Sequence, residues 1–127
     1  MGERQPSLAV RLRQAESVLR DHLQPALDEL GLTLDHWRII AVLLEEPGLG
    51  MSALAAAAVV PNATLTRFVD TLTERGLVVR RLDRDDKRRV VAALSPHGTR
   101  LARRLRRQED EVTESLVLGD LLPSGNT

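Results

Sequence analysis

Between Gly76 and Ser95 the chain sets two short apolar, β-branched runs, "GLVVRRL" and "VVAAL", on either side of "DRDDKRR" at residues 83–89, seven charged side chains in succession. A block of that charge density stays in water, and a plain solvated loop is the simplest reading of it taken alone. Flanked by runs of strand composition, it is better placed at the tip of a hairpin with strands over 77–82 and 89–94. One small hairpin is all the β-structure the pattern supports, so the rest of the fold must be helical.

The helical signals are plain. From about Ser7 to Leu30, Leu8, Leu12, Ala15, Leu19, Leu23, Leu27 and Leu30 recur at steps of three and four, an amphipathic stripe closed by Gly31. Pro25 lies inside that stripe and is expected to kink or break the helix just before it. Thr33 can cap a second helix with Trp37, Ile40, Ala41 and Leu44 on one face, ended by "EEPGLG". Ser52 is a plausible cap for the short "ALAAAAV", and Pro61 with Asn62 starts a fourth helix that runs to Arg75 and stops at Gly76. After the hairpin, Ser95 and Pro96 open a long helix through Leu101, Leu105, Gln108, Val112 and Leu116 to about Leu118, closed by Gly119.

Charge is distributed unevenly along this order. Residues 1–60 hold 5 basic and 8 acidic side chains, residues 61–107 hold 13 and 5, and residues 108–127 hold none and 5, so a net charge of zero conceals a strongly basic centre. A basic block of this kind suits an anionic polymer. There is no cysteine, which excludes disulfides and thiol chemistry, and no apolar run approaches the roughly 20 residues of a membrane span. The start "MGERQPS" lacks the apolar core of a signal peptide, and a cytoplasmic location is expected. No nucleophile elbow, phosphate-binding glycine loop or convergent carboxylate pair is present, so no enzyme is expected. His22, His36 and His97 are too far apart in sequence to suggest a metal site, and no cofactor is implied.

A short helix, a tight turn, a second helix and a β-hairpin form a winged helix-turn-helix. The fold class is therefore mostly α with a small β-hairpin: a single domain with a DNA-binding lobe over about 33–95, flanked by helices over about 7–30 and 96–122. The apolar stripes of the two end helices need a partner, and a second copy of the chain is the expected one.

The stretch "DDKRRVVAALSPHG" resembles the wing signature of MarR-type transcriptional regulators, with Asp86, Arg88, Leu94, Ser95 and Gly98 at the matching positions. "LTLDHW", the Leu54–Ala55 pair and "TLTRFVDTLTERGLVVR" match the family's second helix, first motif helix and recognition helix in order and spacing. The resemblance implies a homodimeric repressor, two winged lobes reading a pseudo-palindromic site on double-stranded DNA, and a small-molecule effector. Asn62, Thr64, Thr66 and Arg67 are then the recognition-helix contacts, with Arg67 able to bridge two acceptors on guanine. Arg84, Asp86, Lys87 and Arg88 are the wing contacts, Arg88 entering the minor groove with Asp86 orienting it. His36 and Trp37 are candidates for an effector pocket, although Trp37 on an apolar face also suits the core. Val59 stands where the family often has a turn glycine and Pro61 where it usually has a capping residue, so Asn62 is the expected cap. The tail "LGDLLPSGNT" is shorter than the family's closing helix. The alternative is a winged-helix adaptor that binds protein and not DNA.

Overall fold

The computed structural model describes residues 6–115. Their elements are α1 (Leu8–Asp28), α2 (Leu34–Glu45), α3 (Met51–Ala58), α4 (Asn62–Glu74), β1 (Val78–Leu82), β2 (Val90–Leu94) and α5 (Pro96–Ser115). The order and class are those the sequence predicts, and each strand begins one residue later than expected. The expected continuation of the last helix through Leu116 and Leu118 to Gly119, and the short tail, lie outside the described residues.

One core holds these elements together. Leu23 and Leu27 of α1, Trp37 and Ile40 of α2, Leu54 of α3 and Leu65, Val69 and Leu72 of α4 are buried with Leu77 and with Leu105 of α5. Burying each such side chain contributes about 1.5–3 kcal/mol. The sheet is a single antiparallel pair with Val78 opposite Leu94 and Leu82 opposite Val90. Leu49, in the link between α2 and α3, adds an isolated bridge: its N–H donates to the Ala92 carbonyl at 3.1 Å, and the Ala92 N–H donates back at 2.8 Å. The hairpin is thereby fastened to the lobe at its base. The Pro-Gly-Leu-Gly stretch read in sequence only as a helix stop is thus also a strand partner.

Three local expectations are corrected. Pro25 does not break α1, which continues to Asp28. The proline removes only its own donor, on an exposed side of the helix, while Leu23, Ala26 and Leu27 anchor the backbone on both sides of it in the core. Ser52 does not cap α3: Gly50 is the N-cap, because the Leu49 bridge fixes the entering chain so that the Leu54 N–H reaches the Gly50 carbonyl at 3.0 Å. Asn62 does not cap α4 either. Pro61 holds that position, its carbonyl accepts the N–H groups of Thr64 and Leu65 at 3.1 and 3.0 Å, and Asn62 is the first helical residue.

The junction into α5 follows the sequence reading closely. The Ser95 hydroxyl accepts the Gly98 N–H at 2.9 Å, the cap expected of a Ser-Pro start, and donates to the Gly76 carbonyl at 2.6 Å. The Ser95 N–H donates to the Leu77 carbonyl at 2.9 Å. A Cβ at Gly98 would stand 1.9 Å from that same Leu77 oxygen, so only glycine lets α5 lie this close to the strand.

Candidate nucleic-acid interface

Leu65, Val69 and Leu72 seat α4 in the core, which turns the opposite face outward. Asn62, Thr66 and Arg67 are exposed on it, and Thr64 is half-buried, its hydroxyl donating to the Pro61 carbonyl at 3.1 Å. No side chain caps the helix, so its first N–H groups stand beside exposed residues at an end that carries partial positive charge. The Arg67 guanidinium lies 5.9 Å from the Phe68 ring centre, a cation–π contact that aims the side chain without neutralising it. Asp70, the acid on this face, is taken up by Arg80 of β1. That ion pair joins the helix to the hairpin, and sequence spacing gave no signal for it.

The hairpin tip is ordered by its own carboxylates. Asp83 accepts the Asp85 N–H at 3.0 Å, and Asp86 accepts the Arg88 N–H at 3.0 Å and the Arg88 Nε at 3.2 Å through one oxygen. The Arg88 backbone N–H and then its side chain hold the Asp86 carboxyl below the usual carboxylate range. Asp83 also lies 3.8 Å from Arg89. The Arg88 side chain nonetheless remains 92% exposed. Asp86 therefore orients Arg88 from behind and leaves its head free. Arg84 and Lys87 are exposed at the same tip and, among the described residues, pair with no carboxylate.

Away from these two surfaces four arginines are ion-paired, while Arg13, Arg100, Arg103 and Arg107 are exposed in no ion pair among the described residues. Arg20 pairs with Glu16, Arg38 with Asp35 and Glu16, Arg104 with Glu29, and Arg106 with Glu45 and Asp110. Of the arginines on the last helix, Arg104 and Arg106 thus serve contacts within the chain.

His36 and Trp37 are both buried. The His36 Nδ1 accepts the Thr33 N–H at 2.9 Å, closing a reciprocal cap on α2, and its ring meets Phe68 of α4 edge-on at 4.8 Å between centres. The Trp37 indole donates to Glu109 of α5 at 2.9 Å. A cavity of about 300 Å³ between α1, α2 and α5 is lined by Ala15, Glu16, Leu19, Arg38, Glu109, Val112 and Thr113. Neither predicted ring lines it; Trp37 reaches it only through Glu109. Arg38 and Glu16 are its charged residues beside Glu109, and the sequence reading passed over them because each alone looks like an ordinary helix-surface charge.

Two helices joined by a tight turn, the second presenting an uncapped, outward, cationic face beside a cationic hairpin, make this a winged helix-turn-helix protein. The comparisons narrow the class: the chain belongs to the MarR family of transcriptional regulators. The model of that family matches residues 30–89. The HTH-type transcriptional regulator FarR of Neisseria gonorrhoeae is 33% identical over 115 residues, covering 89% of this chain and 79% of the relative. The homoprotocatechuate degradative operon repressor of Escherichia coli is 30% identical over 105 residues, covering 83% and 71%. Among solved structures, NadR in complex with 4-hydroxyphenylacetate superposes with a TM-score of 0.74 at 31% identity, covering 94% of this chain and 86% of that one. CouR from Rhodococcus jostii RHA1 bound to p-coumaroyl-CoA gives 0.77 at 26% identity, covering 91% and 78%. These relatives are named as regulators and repressors, which favours regulation of transcription over the adaptor reading. No single described helix is long and apolar enough to cross a membrane.

Proposed function

We propose that the chain works as a homodimeric repressor that reads a pseudo-palindromic operator and lets go of it when a small organic acid binds. The observation that carries the DNA part is the placement of exposed charge: Arg67 on α4 and Arg84 and Lys87 at the hairpin tip are in no ion pair among the described residues, and Arg88 beside them is held outward by Asp86, on two neighbouring surfaces. On this reading Arg67, with Asn62, Thr64 and Thr66, meets base edges in the major groove, and the wing cations meet phosphates and the adjacent minor groove. The uncapped start of α4 suits a phosphate as well.

The dimer is supported by α1. Leu8, Val10, Leu12 and Val18 are 43–48% exposed, apolar surface on more than one side of the helix that the described residues do not cover. A second copy covers it and sets two lobes one helical turn of DNA apart. The residues over about 7–30 and 96–122 then form the dimer region, and 33–95 the lobe.

The effector site is supported by the cavity between α1, α2 and α5, with Arg38 as its cation. Arg38 is held by Glu16 of α1 at 2.9 Å and by Asp35 of its own helix. A carboxylate entering the cavity competes with Glu16 for Arg38 and so loosens α1 from α2, the join between the dimer region and the lobe. Two structural neighbours were solved with an aromatic acid or its thioester, 4-hydroxyphenylacetate and p-coumaroyl-CoA, and an aromatic acid is the class of effector proposed.

Fluorescence anisotropy with labelled DNA from upstream of the chain's own gene tests the reading. Saturable binding with two chains per site, reversed by 4-hydroxyphenylacetate or a related aromatic acid, is the expected result. Binding of one chain per site would remove the dimer, and a blank titration alongside capture of a protein partner would restore the adaptor.

A further inference from the structure

Val59, in the turn between α3 and α4, closes α3 in a conformation better suited to glycine: its N–H donates to the Ala56 carbonyl at 3.3 Å and the Val60 N–H donates to the Ala55 carbonyl at 3.0 Å. Its φ is 57° and its ψ 50°, the left-handed region, and it is the only non-glycine residue with positive φ among the described residues. A β-branched side chain is a genuine outlier there, and glycine is the residue that adopts it without penalty. Burial does not offset the strain. Val59 is 84% exposed, far more than the 42–57% of the other exposed large hydrophobics. The turn accounts for the conformation but not for the valine, since glycine would make the same backbone bonds without the strain, and an exposed side chain kept there at a cost points toward function.

The neighbourhood says what the side chain could meet. Residues 47–66 carry no charged side chain at all, so α3, the turn and the first turn of α4 are neutral. Ala56, Ala57, Pro61 and Ala63 are exposed around Val59 in sequence, and Ala63 lies one turn before Arg67 on the outward face of α4. Such a surface offers phosphates no cation. On a DNA duplex the base-edge group that it can recognise is the thymine C5-methyl, which projects into the major groove and accepts apolar contact.

We infer that Val59 is a specificity-determining residue: its isopropyl group packs against a thymine methyl in each half-site, beside the base read by Arg67. The inference rests on the proposed reading of DNA by α4. It accounts for a strained, exposed valine at a turn where glycine would fold more easily.

The test uses the full chain and its selected operator, with each thymine of the half-site replaced in turn by deoxyuridine, symmetrically in both halves. That exchange removes one methyl and nothing else. At one position the wild-type chain is expected to lose about fourfold in affinity per half-site, the worth of one buried methyl. In Val59→Gly and Val59→Ala the same exchange has no effect, because the partner of the methyl is gone. Val59→Gly melts no lower than wild type, since glycine relieves the left-handed strain, and this separates a lost contact from a lost fold. Equal sensitivity to deoxyuridine in wild type and Val59→Gly, or insensitivity of wild type at every thymine, overturns the inference and leaves DNA binding intact. Failure of the wild-type chain to bind any duplex overturns the proposed function and this inference together.

Discussion

Replacing Gly98 by alanine tests the geometry that carries the wing. The added Cβ would lie 1.9 Å from the Leu77 oxygen, 2.8 Å from its carbonyl carbon and 3.1 Å from its Cα, all backbone atoms. Real Cβ atoms essentially never approach a heavy atom closer than 3.0 Å, so the start of α5 must back away from the strand by about 1 Å or more. The Ser95 N–H bond to Leu77 and the Ser95 hydroxyl bond to Gly76, at 2.9 and 2.6 Å, cannot survive that shift with good geometry. Each is worth about 1 kcal/mol net and more if its buried partner is left unsatisfied. Looser packing of Leu101 and Ala102 adds to the loss, and the better helix propensity of alanine returns about 1 kcal/mol. The net expectation is a destabilisation of about 2–4 kcal/mol. Urea denaturation at fixed chain concentration measures it, since a dimer's midpoint moves with concentration. A loss below about 0.5 kcal/mol would show that α5 does not depend on this contact.

Arg67→Ala is expected to flatten base preference at one position of each half-site, worth about 1–3 kcal/mol of discrimination, whereas Arg88→Ala weakens binding to all sequences alike. Selection of bound fragments with each variant checks this, and identical sequence profiles for wild type and Arg67→Ala would move the reading head elsewhere. His36 supplies a pH dependence. Burial first, then Arg75, push its pKa below the ordinary imidazole range against the raising pull of Asp35. The unfolded chain takes up this proton near pH ~6.5 and the native chain does not, so the contribution is complete above that pH and is lost as pH falls below it. His36→Gln, whose amide oxygen can still accept the Thr33 N–H, should lose this component of the slope; an unchanged slope between pH 7 and 5 would contradict it. Arg38→Gln should leave DNA affinity within a few-fold while abolishing release by an aromatic acid, read in the anisotropy titration.

Much of this fold is written in local chemistry. Leucines at steps of three and four, Gly31 and Gly76 at helix ends and Ser95 before Pro96 each act within a turn of the chain, and the structure places them as their chemistry dictates. Corrections arise where a distant segment decides. Ser52 is passed over as a cap because Leu49 pairs with Ala92, and Pro25 is carried through because residues on both sides of it are anchored in the core. The site divides the same way. Asp86 behind Arg88 is a contact two residues long and legible in sequence, whereas Asp70 on Arg80 and Glu16 on Arg38 join different elements and exist only once the chain has folded. The strain at Val59 needs the backbone itself, although a valine at a turn glycine's position is its sequence trace.

The salt dependence of operator binding tests the central claim most directly. Four exposed cations per lobe, Arg67, Arg84, Lys87 and Arg88, give up to about eight phosphate or groove contacts in a dimer, and each phosphate neutralised contributes about −0.9 to the slope of log affinity against log salt. A slope of about −5 to −7 is expected, a loss on the order of a thousandfold or more between 50 and 200 mM salt. A slope of about −3 would mean that only one lobe engages, and a flat response would contradict DNA recognition by this surface.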